Sequence, residues 1–328
     1  DVMVERAQET FGRFRAGEVR DFHHEMMHLA LDVVLATLFG SDAGRAQGIG
    51  ALLDSATADY RRLGMTFRGA FPRWFPFWSR LRYHWAGWRL RRIVERLVRG
   101  RQEKPLTNDM LSRLLEARDE GGVGMTQRQL IDECLTVMLA GHETTALALA
   151  YAFDRLARAP EIEARLRQEI QEVVGSRPAR LSDIAQLPYT KAVVKETLRI
   201  YPPVWAVGRV AERSFSLAGA TIQPGMVLVA VPWVVHHDER YYPEPDTFRP
   251  ERFLNGAAEQ LPKGAYLPFG AGPRTCIGNH FAELEMQLVL VTALQRYRFE
   301  LVDAAPLRLS PSVTLRPAGP IRLRLASV

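Results

Sequence analysis

The chain has 328 residues and a formal net charge of +6, from 43 basic and 37 acidic side chains. A hydrophobic content of 47% supports a substantial core, and mild basicity spread along the chain reads as a solvated mixed-charge surface, with no nucleic-acid partner implied. Two cysteines, Cys134 and Cys276, exclude a disulfide framework and favour a reducing compartment, and no apolar run is long enough to span a membrane.

The first residues, from Asp1, already read as the middle of a helix, and no signal peptide opens the chain. Helices are predicted over 2–14, over 25–39 with Gly40 as the stop, and over 50–63. Residues 67–78 hold Phe67, Phe71, Trp74, Phe75, Phe77 and Trp78 around Pro72 and Pro76. The prolines deny that stretch a regular helix, and its aromatics suit an apolar lid over a pocket or against a membrane surface.

A long basic helix is predicted over 82–102, with Leu90, Ile93, Val94, Leu97 and Val98 as its apolar stripe, and another helix over 106–118. Thr126 and Gln129 form a capping box for a helix over 127–158 that ends before Pro160. At about 1.5 Å per residue that helix is roughly 45–50 Å long, a length that usually crosses the middle of a domain. Cys134 lies on its apolar side, where a buried inert thiol is expected. Its centre, 140–145, is a polar patch inside an apolar helix. Helices over 161–174 and 189–201 follow, and the second stops at Pro202 and Pro203. Short strands are predicted over 206–210, 215–217, 221–223 and 227–231, then a Pro-rich irregular stretch over 241–268. A last helix over 277–296 and strand-like segments over 299–302 and 321–325 complete the chain.

The chemistry concentrates in 269–282, around Cys276. Gly270, Gly272 and Pro273 allow a tight, rigid loop, and the helix signal of Leu284, Leu288, Val291 and Leu294 follows it. A cysteine at a helix N-terminus faces unpaired N–H groups and the positive end of the dipole, which favour the thiolate, and Arg274 adds a fixed charge two residues away. Missing side chains at Gly270, Gly272 and Gly278 would let a large flat group approach, and a haem with a thiolate axial ligand fits this chemistry. Elsewhere Glu196 and Arg199 lie three apart on one helix, Arg252 sits in a Phe-Arg-Pro-Glu-Arg-Phe run, and Glu143 and Thr144 lie in the central patch. Singly, each has an ordinary reading as a surface ion pair, one more arginine or a helix distortion.

Together and in this order these motifs resemble the cytochrome P450 superfamily. Phe269, Gly272, Arg274, Cys276, Gly278 and Ala282 match its haem loop. Ala140, Gly141, Glu143, Thr144 and Thr145 match its central-helix motif, Glu196 and Arg199 its Glu-x-x-Arg pair, and Arg252 its later arginine. The resemblance implies a single domain over 1–328, mainly α with small β-sheets (α+β). It also implies haem b held by Cys276 as metal ligand, with Phe269 shielding the sulfur, backbone N–H groups near Gly278 tuning it, and Arg274 and Arg209 on the propionates. Glu143 and Thr144 become catalytic proton carriers on the distal side, where a broken helix turn makes a groove for dioxygen and water. Glu196, Arg199 and Arg252 become a buried structural triad. His236 is a weaker candidate whose ordinary reading is a solvated loop histidine.

The implied activity is dioxygen-dependent hydroxylation or epoxidation of an apolar small molecule, with electrons from NAD(P)H through a flavoprotein reductase or a ferredoxin. A peroxide-driven peroxygenase or isomerase, and a non-catalytic haem-binding remnant, are the alternatives. Family members carry roughly one hundred residues more before the point that resembles Asp1, so an N-terminally truncated chain is expected, cytoplasmic unless an anchor precedes it. Rival chemistries lack parts. His142 and Glu143 begin a zinc-protease helix motif, but Ala146 stands where the second histidine belongs. Cys276 and His280, at i and i+4, share a helix face as a hydrolase pair would, but the better reading of His280 is a helix-surface residue beside the haem, and no Cys-x-x-Cys-His run exists for covalent haem.

Overall fold

The computed structural model describes residues 1–40, 48–64 (61–64 as backbone only), 78–103, 105–256 and 260–328. As the sequence predicts, they are mainly helical with small antiparallel sheets. The aromatic run proposed as a lid lies outside the described residues except for Trp78. The chain divides into two compact units, Asp1–Phe14 with His23–Ala146, and Arg15–Phe22 with Leu147–Val328.

The first unit contains α1 (Val2–Gly12), nearly all of α2 (Phe22–Phe39), α3 (Ile49–Gly64), α4 (Trp78–Gln102), α5 (Met110–Glu116) and the first part of α6 (Gln127–Arg158). Its core joins Val34, Leu38 and Phe39 of α2 to Ile49 and Leu53 of α3, Leu90, Val94 and Val98 of α4, and Cys134 and Met138 of α6. The stripe read from the sequence of α4 is therefore the face it buries. Cys134 is fully buried, and burial pushes its thiol up to about 12, which leaves it inert. One buried ion pair, Arg101 with Asp109, ties α4 to the entry of α5. Arg101 also donates to the Phe39 carbonyl at 2.8 Å, satisfying the C-terminus of α2. Gly40 has φ +52° there, and a Cβ on it would meet Asp109 Oδ2 at 2.8 Å, so only glycine fits. Helix α5 is shorter than predicted: Asp109 accepts from the Ser112 N–H at 2.9 Å and starts it at Met110.

Helix α6 has the predicted ends. The Thr126 N–H donates to Gln129 Oε1 at 2.9 Å and the Gln129 N–H to Thr126 Oγ1 at 3.3 Å, closing the capping box.

The second unit holds the rest of α6, α7 (Pro160–Val173), α8 (Pro188–Ile200), α9 (Pro232–His236) and α10 (Asn279–Leu294). Its largest sheet is three-stranded and antiparallel, with β1 (Val19–Asp21) and β6 (Tyr297–Leu301) on either side of β9 (Arg322–Ser327). Two antiparallel pairs follow α8: β2 (Val207–Val210) with β5 (Val227–Ala230), and β3 (Phe215–Leu217) with β4 (Ala220–Ile222). A last pair joins β7 (Leu309–Pro311) to β8 (Leu315–Pro317). Phe22, Phe153 and Phe299 meet mutually at 4.8–5.2 Å and anchor the large sheet to α6. Helix α8 is buried along most of its length, and Glu169 of α7 caps it by accepting the Tyr189 N–H at 2.6 Å and the Thr190 N–H at 2.8 Å. Among the described residues, no helix is long and apolar enough to cross a membrane.

Candidate functional site

Cys276 occupies a short, tightly folded loop immediately before α10. Its backbone N–H donates to the Phe269 carbonyl at 3.0 Å, closing the loop on itself. Inside that closure, Pro273 sits in a single 3-10 turn, and the Thr275 N–H and hydroxyl both reach the Gly272 carbonyl, at 3.0 and 2.8 Å. Gly270 and Gly272 take φ +72° and +73°, the left-handed region that the reversal requires. Helix α10 starts at Asn279 with Gly278 as its N-cap, two residues later than predicted, because the loop's own hydrogen bonds hold the chain through Thr275. A Cβ at Gly278 would lie 3.8 Å from Cys276 Sγ, an ordinary contact.

The loop suits a large flat cofactor with carboxylate arms. The Cys276 side chain is exposed and takes part in no hydrogen bond among the described residues. A Cβ on Gly270 or Gly272 would meet nothing within 4 Å, so the loop presents bare backbone to its surroundings. Arg274 is exposed and engages no protein carboxylate among the described residues, which leaves its planar fork free for an anion. Phe269 is half-buried and holds the other end of the loop. Arg209 lies exposed on β2, donating to the neighbouring Gly208 carbonyl at 2.8 Å.

Behind the loop stands the network of Glu196 and Arg199 on α8. Both side chains are fully buried; Arg199 Nε and Nη2 hold the two carboxylate oxygens at 2.7 and 2.9 Å. The Arg249 N–H donates to the same carboxylate at 2.9 Å. Arg252 approaches it at 3.4 Å without hydrogen-bond alignment, its Nη2 donating instead to the Glu244 carbonyl at 2.7 Å. Burial pushes the Glu196 carboxyl above the usual carboxylate range, against the pull of Arg199, of the Arg249 N–H and of Arg252. Arg199 further donates to the carbonyls of His236 and Pro245, each at 2.7 Å. The pair is thus the hub that joins α8 to the end of α9 and to the irregular backbone at Pro245 and Arg249, rather than a surface ion pair.

His236 is the residue that sequence reasoning misplaced. It is fully buried, not solvated, and bridges the network to the cysteine loop. Its Nδ1 lies 3.0 Å from the Arg199 carbonyl, and its Nε2 accepts the Leu267 N–H at 2.8 Å, two residues before Phe269. That arrangement fixes the neutral tautomer with the proton on Nδ1. Burial lowers its pKa from 6.5 to about 4. Between those values the unfolded chain binds a proton that the folded chain refuses, so stability falls as pH drops from 6.5 towards 4. The expected loss is about 3 kcal/mol from this side chain. Urea unfolding across that range checks it: His236→Phe should flatten this contribution to the slope, while costing about 2–4 kcal/mol at neutral pH through the two orphaned backbone groups. An unchanged slope in the variant would remove His236 from this role. No local sequence signal announces it, since burial here is a tertiary fact.

In the first unit, Glu143 and Thr144 lie half-buried on α6. The expected broken turn is absent: α6 runs unbroken from Gln127 to Arg158. Thr144 Oγ1 instead donates to the Ala140 carbonyl at 2.6 Å, a back-bond that loads that acceptor without opening the helix. His142 beside them is buried, which lowers its pKa, and it hydrogen-bonds the backbone of Met27.

The family model described as Cytochrome P450 matches residues 1–325. The chain is 33% identical over 318 residues to cyclooctat-9-en-7-ol 5-monooxygenase of Streptomyces melanosporofaciens, covering 93% of this chain and 67% of that protein. It is 33% identical over 325 residues to pentalenene oxygenase of Streptomyces avermitilis, covering 97% and 71%. Among solved structures, the retinoic acid-bound cyanobacterial CYP120A1 superposes with a TM-score of 0.89 at 26% identity, over 99% of this chain and 74% of that one. The chain therefore spans 67–74% of the length of these relatives.

Proposed function

The chain belongs to the cytochrome P450 family, and from that premise we propose that it is a haem-thiolate monooxygenase acting on an apolar small molecule. The substrate R–H, dioxygen, two electrons and two protons give R–OH and water. The electrons come from NAD(P)H through a separate flavoprotein reductase or ferredoxin. Two relatives named for oxygenation of an alkenol and an alkene support an unsaturated hydrocarbon skeleton as the substrate class.

Bound haem b supplies the oxygen-activating chemistry. Cys276 Sγ would be the residue that holds its iron, and Arg274 and Arg209 would hold its carboxylate arms. Phe269 screens the sulfur from water, and the N–H groups around Gly278 moderate its basicity. Glu143 takes protons from solvent and passes them through water to Thr144 Oγ1, which leaves the Ala140 carbonyl to donate them. Glu196, Arg199 and Arg252 do no chemistry; they hold the backbone that carries the loop.

The observation that carries this reading is the exposed, unengaged Cys276 in a glycine turn at the start of α10. The reduced, carbon monoxide-treated protein should show the Soret band of thiolate ligation; a band typical of histidine or thiol ligation would sink the assignment. Turnover with a reductase system, compared with hydrogen peroxide alone, separates an oxygenase from a peroxygenase. In the reductase system, Thr144→Ala should lower product formed per NAD(P)H by about tenfold or more while reductant is still consumed. Unchanged coupling would exclude Thr144 as the donor.

A further inference from the structure

The long basic helix α4 carries more than its share of the charge. It contains eight arginines and one glutamate. Taking these from the totals leaves 35 basic against 36 acidic residues in the rest of the chain. The dispersed basicity read from composition is therefore wrong: the whole surplus resides on one helix.

The arginines share a face with large apolar side chains. Trp78, Leu81, Trp85 and Trp88 are 77%, 52%, 55% and 54% exposed. Arg89, Arg92, Arg96 and Arg99 are exposed as well. At 3.6 residues per turn all eight fall within an arc of about 100°. That arc lies opposite Leu90, Val94, Leu97 and Val98, which the helix buries in its own core. The stripe is aromatic in its first half and cationic in its second. At the join, the Arg89 guanidinium sits 5.3 Å from the Trp85 ring centre and that of Arg92 5.5 Å from the Trp88 ring. Among the described residues, only Arg99 of the four arginines pairs with a carboxylate, Glu95 at 2.7 Å.

We propose that this face of α4 docks on an anionic phospholipid surface, independently of the oxygenase reading. The indoles are amphipathic and settle at the boundary between headgroups and acyl chains, and guanidinium groups match lipid phosphates bidentately. The stripe runs about 32 Å from Trp78 to Arg99. At about one helix diameter in width it offers roughly 300 Å², against about 800 Å² per partner in a stable protein interface. A bilayer surface needs no matching shape, and its negative potential complements Arg89, Arg92 and Arg96, which are exposed and pair with no carboxylate among the described residues.

The test is co-sedimentation of the purified chain with vesicles of phosphatidylcholine alone and of an equimolar mixture with phosphatidylglycerol. Binding to the mixed vesicles should be tighter by about tenfold or more and should weaken at high salt. The triple variant Arg89→Gln, Arg92→Gln, Arg96→Gln and the double variant Trp85→Ala, Trp88→Ala should each lose about tenfold of it, with an unchanged melting temperature. These side chains are exposed, so the variants should fold. Equal binding to both vesicles, no binding, variants that bind like the parent, or a dimer that the tryptophan variant dissolves would each overturn the proposal.

Discussion

Replacing Arg199 with alanine is expected to destabilise the fold by about 3–5 kcal/mol, the largest effect of any single change at the network. The reason is what the variant leaves behind. Glu196 stays fully buried, with the Arg249 N–H at 2.9 Å and Arg252 at an unaligned 3.4 Å as its remaining partners. The carbonyls of His236 and Pro245 lose their donor. Lysine does not rescue this, because one ammonium cannot reach both carboxylate oxygens and two carbonyls in a plane. Glu196→Gln keeps the shape but leaves Arg199 buried without a counter-charge, so it is also costly. The double replacement Glu196→Gln with Arg199→Ala should cost less than the sum of the singles, since each single strands the other's polar group. Equilibrium urea unfolding of the four proteins measures this; strict additivity would show that the pair is not one unit.

That network also shows where sequence reading succeeds and where it stops. The i, i+3 spacing of Glu196 and Arg199 places them on one helix face in any fold, but their complete burial is decided by α9, α10 and the Pro250–Phe253 turn, which local pattern does not report. The ends of α6 were legible because Thr126 and Pro160 are local signals. Strand β1 was not, since its three residues gain their meaning from β9, some three hundred residues away. Strands β7 and β8 are three residues each and both end in proline, which argues against strands in isolation. The four motifs pointed to the family through their order along the chain. The back-bond of Thr144 to Ala140 and the bridge through His236 depend on rotamer and burial, and neither has a sequence signature.

Cys276→Ser should separate chemistry from folding as cleanly as Arg199→Ala confounds them. Cys276 is exposed, its side chain makes no hydrogen bond among the described residues, and the bond that closes the loop runs from its backbone N–H to Phe269. The oxygen-for-sulfur exchange should therefore change stability by no more than about 0.5 kcal/mol. The proposed axial ligand, however, disappears. A hydroxyl is far less acidic than a thiol, and the N-terminus of α10 and Arg274 do not close that gap. The thiolate Soret band of the reduced carbon monoxide complex should vanish and reductase-driven product formation should fall below detection. Cys134 cannot take over, because it is buried in the core of the first unit with its thiol pushed up to about 12. A variant that kept the thiolate band would show that the sulfur ligand is not Cys276. One that lost the band together with its cooperative unfolding would show that the loop is held by the side chain rather than by the Phe269 carbonyl.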